Sequence, residues 1–185
     1  MRDISDRLLV RCSYAQAAHY ITSFVAEHQN GDEYARVTLS LPIRLFAERR
    51  TLVERSLIAT LCPLTSANDS HPTYSLTWSP SAGVTLPSFA GALAVERVAR
   101  EQSFGLMVSG HYESQSCEAD SNSNAALERR VAHGSARELL RFIAAHVERA
   151  CAHDEAARAS YSSLKSFYAG AGHALRSSEP FATTK

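Results

Sequence analysis

The chain has 185 residues, a length that suits one domain, or one domain followed by a tail. Its 19 Lys and Arg residues balance 19 Asp and Glu residues, and no long segment is strongly basic. This balance argues against a protein that tracks the phosphate backbone of a nucleic acid. The only lysines are Lys165 and Lys185, so a lysine-rich membrane patch is excluded as well.

The N-terminal segment mixes acidic and basic residues and lacks an apolar stretch of signal-peptide length. No apolar run approaches the ~18 residues that a membrane-spanning helix needs. The four cysteines show no CxxC spacing and are too few for a disulfide scaffold. We therefore expect a bacterial-type cytoplasmic protein with reduced thiols and no membrane span.

In chain order, the first strong signal lies at residues 13–29, where apolar residues recur every three or four positions. This spacing predicts a helix, and Ser13 followed by Gln16 matches a capping box. The period then changes to two, which is typical of half-buried strands. The alternation predicts five strands, near residues 37–41, 51–62, 74–78, 89–95 and 104–112. Because the connections between them are short, the strands should pair antiparallel, as a meander.

The helical period returns after a polar loop and is clearest from Ala125 to Ala150. Gly134 lies inside this helix, which suggests close packing against a strand or a small bend. We expect a single domain over residues 1–150, an additional helical segment over 151–176 and a disordered tail over 177–185. The order of the elements predicts an α+β fold in which a curved antiparallel sheet wraps around the long C-terminal helix.

Two short motifs carry a resemblance to a known family. Residues 87–95 read PSFAGALAV and residues 106–112 read LMVSGHY, and the long helix follows them. In this order they resemble the START-like (SRPBCC, helix-grip) superfamily, and more narrowly its uncharacterised bacterial members. The Ser/Asn-rich loop after Glu113 departs from the Pro/Gly-rich loop of those relatives. The resemblance implies an internal cavity for an apolar or amphipathic molecule, and it implies no common catalytic motif.

Three aromatic side chains, Trp78, Phe89 and Tyr112, fall on the faces that the alternation marks as inward. Gly91 and Gly110 leave room beside them. The aromatic side chains therefore either line a pocket or form ordinary core.

Other candidate ligand contacts come from the long helix and from the second predicted strand. Leu139 and Ile143 lie on the apolar stripe of the helix. Arg55 shares the parity of Val53 and Leu57, so it is either a partner for a ligand carboxylate or a solvated surface residue.

His111 and Glu113 flank Tyr112 and share one face of their strand, so they are weak candidates for a catalytic pair. The alternative is a strand-end pair on the solvent face. Near the end of the long helix, the spacing of His146, Cys151 and His153 matches no strong zinc pattern. We predict no metal and no cofactor.

The favoured function is binding of a small hydrophobic or amphipathic molecule in a cavity between the sheet and the C-terminal helix. One alternative is a cyclase- or dehydratase-type enzyme that uses a pocket histidine. Another is an interaction module with a filled cavity, whose 152–172 helix pairs with a partner or with a second copy in a homodimer.

Overall fold

The structure is a computed structural model that describes residues 2–44, 52–64, 72–80, 87–99, 102–113 and 122–174. Residues Met1–Glu148 form one compact unit, and Arg149–Lys185 form a second. The first unit contains the whole sheet, the first helix and the N-terminal half of the long helix. Of the described helices, neither is long and apolar enough to cross a membrane.

The described residues form six strands and two helices. The elements are β1 (Arg2–Val10), α1 (Tyr14–Glu27), β2 (Ala35–Arg44), β3 (Leu52–Pro63), β4 (Thr73–Pro80), β5 (Ser88–Arg97), β6 (Phe104–Glu113) and α2 (Asn122–Ala174). The strands form one antiparallel sheet in the order β1-β6-β5-β4-β3-β2. The predicted meander of five strands is confirmed as β2 to β6, and so is the α+β class, with the long helix packed on the sheet.

Strand β1 was not predicted from the sequence. It pairs with β6 along its whole length, from Arg2 opposite Tyr112 to Val10 opposite Phe104, and therefore forms one edge of the sheet. Its inward side chains are Ile4, Asp6, Leu8 and Val10, so an aspartate interrupts the apolar alternation that marks a strand.

The core lies between one face of the sheet and the two helices. Along β3, for example, Leu57, Ala59 and Leu61 are fully buried, whereas Ile58 between them is 38% exposed. The helix α1 contributes Ile21 and Phe24 to the same layer. From α2 the buried residues recur every three or four positions; they are Ala132, Ser135, Ala136, Leu139, Leu140, Ile143, Ala144 and Val147.

Helix α1 begins at the predicted position, but its first turn departs from a full capping box. Ser13 is the N-cap, and its side chain makes no capping hydrogen bond to the backbone. Its hydroxyl instead donates to Oε1 of Gln16 at 2.8 Å.

Helix α2 is continuous to Ala174, because neither Pro nor Gly interrupts the sequence between Ala150 and Asp154. Its residues 149–174 belong to the second compact unit, where Tyr161 is 72% exposed. Gly134 is exposed, and a Cβ atom added there would meet no neighbouring atom within 4 Å. The predicted close packing at Gly134 is therefore wrong, since this residue faces solvent between two buried positions.

The glycines that do face close neighbours are Gly91 and Gly110, which oppose each other on β5 and β6. A Cβ atom on Gly91 would lie 2.2 Å from the carbonyl oxygen of Ser109, and one on Gly110 would lie 2.4 Å from that of Ala90. The ring of Phe89 would also lie within 3 Å of either Cβ atom. The room that these glycines provide is thus occupied by the neighbouring strand and by the Phe89 ring.

We expect Gly110→Ala to lower the free energy of unfolding by about 2–3 kcal/mol, because the backbone of β5 would have to move. Gly134→Ala is the matched control, and we expect it to raise the free energy of unfolding by about 0.5–1 kcal/mol through helix propensity alone. Urea unfolding followed by circular dichroism measures both changes. Equal effects of the two substitutions would contradict the close approach described for β5 and β6.

Candidate functional site

The most distinctive feature of the inner face is a row of three aromatic side chains on adjacent strands. Trp78 on β4 opposes Phe89 on β5, and Phe89 opposes Tyr112 on β6. The rings of Trp78 and Phe89 are stacked, with centroids 3.9 Å apart and planes inclined by 11°. We call these three residues the aromatic row. All three are buried, as the alternation of the sequence predicted.

The aromatic row contains two polar atoms that are buried without a hydrogen-bond partner. They are Nε1 of Trp78 and the hydroxyl oxygen of Tyr112, and neither has a partner in the part of the chain that the structure describes. Buried tryptophan N–H and tyrosine O–H groups usually find a partner. Leaving such a group unpaired costs about 1–3 kcal/mol. A hydrogen-bonding group within reach of either atom would therefore be stabilising.

The aromatic row lies near one end of the sheet, where β4 and β6 finish and β5 begins. Tyr112 is opposite Arg2, four residues before Asp6 on β1, which corresponds to roughly 13 Å along the strand. Asp6 meets His133 on α2, and Glu148, further along the helix, accepts a hydrogen bond from the Arg11 amide. Helix α2 therefore runs parallel to β1, in the same chain direction.

This direction separates the predicted site residues into two groups. Leu139 and Ile143 are fully buried, but they follow His133 toward Glu148 and so lie on the far side of Asp6 from the aromatic row. Phe142, on the same stretch of α2, meets Phe24 of α1 with ring centroids 6.0 Å apart. Leu139 and Ile143 thus belong to the core near α1.

Of the three remaining candidates, two lie away from the aromatic row and the third lies outside the described residues. His111 and Glu113 are exposed, because they have the opposite parity to Tyr112 on β6. His111 Nδ1 is 2.5 Å from Oδ1 of Asp3, which is itself 86% exposed. The side chain of Arg55 lies outside the described residues, and its suggested contact with a ligand stays a prediction.

A second polar feature, which the sequence analysis missed, surrounds Asp6. This carboxylate is only 8% exposed, although it lies on the edge strand. Nδ1 of His133 is 2.5 Å from its Oδ2, and Nε of Arg137 donates to its Oδ1 at 3.0 Å. We call these three residues the Asp6 cluster. It joins β1 to α2 through polar side chains, and both partners of Asp6 are more than 120 residues away in sequence.

The residues that could have suggested a metal are dispersed. His146 lies 3.7 Å from Glu27 and packs edge-on against Phe24, while His153 is 3.6 Å from Asp154. Among the described residues, no group of three or more His, Cys, Asp or Glu side chains is arranged to hold a metal ion. Cys12, Cys62 and Cys151 form no disulfide with one another, and Cys117 lies outside the described residues.

Comparison with known proteins places this architecture in a structural class. No protein-family model matches the chain, and no curated protein sequence matches it. The fold is similar to that of the Zhui aromatase/cyclase from a Streptomyces species, with a TM-score of 0.50 and 11% identity. That match covers 80% of this chain and 94% of the other.

A START superfamily protein from Mycobacterium smegmatis also matches, with a TM-score of 0.45, 13% identity and coverage of 80% and 97% of the two chains. The fold that the resemblance implied, an antiparallel sheet packed on a long C-terminal helix, is confirmed. At these identities the likeness concerns the fold alone.

The two Asp–His pairs of β1 have the same 2.5 Å distance, but Asp6 is buried and also contacts Arg137, whereas Asp3 is exposed. We expect Asp6→Asn to lower the free energy of unfolding by about 1–3 kcal/mol, because it removes a buried carboxylate from its contacts with His133 and Arg137. Asp3→Asn should change it by less than about 0.5 kcal/mol, since both groups of this pair are exposed. Urea unfolding at neutral pH tests this difference, and similar losses for both variants would mean that neither the burial of Asp6 nor its contact with Arg137 contributes to stability.

Proposed function

We propose that the protein binds a small, largely apolar molecule against the aromatic row, and that this molecule carries a hydrogen-bond acceptor. The observation that supports the proposal is the pair of buried, unpartnered polar atoms on Trp78 and Tyr112. An apolar ligand surface would pack against the aromatic rings, and its acceptor would pair with the indole N–H, the phenol O–H or both. The general association of this fold with hydrophobic ligands supports the same reading.

The first inward residues of α2 whose burial the structure describes are small; they are Ala132, Ser135 and Ala136. Because the adjacent His133 contacts Asp6, these residues lie level with Asp6, roughly 13 Å along the sheet from the aromatic row. The hydroxyl of Ser135 donates to the carbonyl oxygen of Val131 at 2.9 Å, so it does not serve the aromatic row. Among the described inward residues, the first large one is Leu139, which lies still further from the row.

The two unpartnered atoms also define what the ligand must offer. The indole N–H of Trp78 only donates, and the hydroxyl of Tyr112 both donates and accepts. A carbonyl or ether oxygen on an apolar body satisfies either group, whereas a pure hydrocarbon satisfies neither. A site built on such groups discriminates strongly against an analogue that lacks the polar atom. The proposed ligand class is therefore a compact, ring-bearing molecule with one or two acceptors.

We expect 1-tetralone, a bicyclic aromatic ketone, to bind at least roughly tenfold more tightly than tetralin, which lacks only the carbonyl group. Trp78 is the single tryptophan of the chain, so its indole N–H signal in a two-dimensional NMR spectrum reports directly on the site. The ketone should shift this signal in a saturable way. Absence of a saturable shift with either compound would contradict the proposal and favour the alternative of an interaction module with a filled cavity.

Tyr112→Phe separates a binding role of the hydroxyl from a structural one. Because the hydroxyl has no partner among the described residues, its removal should leave the free energy of unfolding unchanged or raise it by up to about 1 kcal/mol. The same substitution should weaken 1-tetralone binding by roughly tenfold and leave tetralin binding unchanged. Calorimetric titration and urea unfolding of the same samples provide the two numbers.

Tyr74→Phe is the matched control for this substitution. Tyr74 is buried on the same face of β4, and its hydroxyl lies 3.4 Å from Oγ1 of Thr22 on α1. We expect this variant to lose about 0.5–1.5 kcal/mol of stability and to keep its affinity for 1-tetralone. If Tyr112→Phe instead loses stability and keeps its affinity, the hydroxyl is structural and the proposed role of Tyr112 is wrong.

A further inference from the structure

A cleft opens between the edge strand β1 and helix α2, on the side of the molecule where the Asp6 cluster lies. It encloses about 280 Å³ and is lined by Asp6, Arg7, Leu8, Arg137, Leu140 and Arg141. We call it the arginine cleft. Three of its six lining residues are arginines and one is an aspartate, so the lining carries an excess of positive charge in a protein whose net charge is zero.

The guanidinium group of Arg137 is held in place from one side. Its Nε donates to Oδ1 of Asp6 at 3.0 Å, and Asp6 is fixed in turn by His133 on its other oxygen. Neither Nη atom of Arg137 has a partner among the described residues, and the side chain is 64% exposed. The Nε atom is therefore held by Asp6, and the two Nη amino groups have no partner among the described residues. Arginine binds carboxylates and phosphates through such N–H groups.

The other two arginines of the cleft differ in how closely a carboxylate already pairs with them. Nη1 of Arg141 is 3.5 Å from Glu138, a pair in which both side chains are largely exposed and therefore weakly coupled. Arg141 follows Arg137 by four residues, so both side chains lie on one face of α2. Arg7 pairs with Glu96 at 3.2 Å and is accordingly the least available of the three. The positive charge open to a ligand comes from Arg137 and Arg141.

The rest of the lining limits what can bind there. The apolar lining residues are Leu8, which is partly buried, and Leu140, which is almost completely buried, so the cleft offers only a small apolar contact beside its two available cations. A volume of about 280 Å³ lies just below the range of drug-sized pockets, which fits a small occupant.

We propose that the arginine cleft binds the carboxylate or phosphate group of a small molecule with a short apolar chain. The oxyanion contacts the Nη groups of Arg137, with Arg141 adding charge, and the apolar chain packs on Leu8 and Leu140. This site is separate from the aromatic row and needs no ligand there.

The test compares three probes of equal chain length: hexanoate, hexyl phosphate and the neutral hexanamide. We expect saturable shifts of the Leu8 and Leu140 methyl signals with one or both anions, and binding of hexanamide that is at least roughly tenfold weaker. A response to hexyl phosphate alone assigns the site to phosphate esters, and a response to hexanoate alone assigns it to carboxylates. Equal binding of hexanamide and the anions would overturn the proposal.

Arg137→Gln should weaken binding of the responding anion by roughly tenfold or more. Because Asp6 loses the Nε donor of Arg137 in this variant, urea unfolding of the same sample checks that the protein remains folded under the titration conditions. Arg129→Gln is the control, since Arg129 is an exposed arginine two turns earlier on α2 that does not line the cleft. Equal losses of anion affinity in both variants would mean that only the overall positive charge of the surface matters, and they would refute a defined site.

The signal of Trp78 keeps this test independent of the proposed function. Binding in the arginine cleft should leave the indole N–H signal in place, and Tyr112→Phe should not alter affinity for the anions. An anion that shifts Trp78 and not the two leucines binds at the aromatic row, which would count against the arginine cleft and not against the proposed function.

Discussion

The close approach of β5 and β6 at Gly91 and Gly110 determines the form of the candidate site. Because neither residue has a side chain, the backbones come close enough that a Cβ atom would meet a carbonyl oxygen of the opposite strand. The ring of Phe89 lies over the two glycines and becomes parallel to the indole of Trp78. This packing buries the indole N–H on a face where no described residue accepts it. The stacked position of Phe89 on Trp78 is thus tied to a backbone constraint.

The inner face is divided along the length of α2. Toward Glu148, large apolar residues such as Leu139 and Ile143 pack near α1, and Tyr74 finds Thr22 for its hydroxyl. At the other end, the aromatic row keeps two polar groups that have no partner among the described residues. Among those residues, the hydrogen bonding of the inner face is therefore satisfied for Tyr74 and unsatisfied at the aromatic row.

The features of the fold and of the candidate site that could be predicted from the sequence are those that depend on residues close together in the chain. Period-two alternation located β2 to β6 and the inward parity of Trp78, Phe89 and Tyr112, since these signals are local. Strand β1 was not predicted, because Asp6 occupies an inward position where the alternation requires an apolar residue, and its partner His133 is 127 residues away. Parity also could not show that the Phe89 ring fills the room beside Gly91, or that Leu139 lies far along the helix from the aromatic row. Each of these facts depends on side-chain direction in three dimensions.

Net charge illustrates the same limit in a different way. The balance of 19 basic and 19 acidic residues excludes an extended basic surface, because such a surface needs an excess that the chain lacks. It says nothing about a single cleft, where a few side chains decide the local field. The carboxylate of Asp6 is buried, where it contacts Nδ1 of His133 and accepts a hydrogen bond from Nε of Arg137. A buried carboxylate that anchors one side of an arginine leaves the other side oriented toward solvent. A neutral protein can therefore present a preorganised cation.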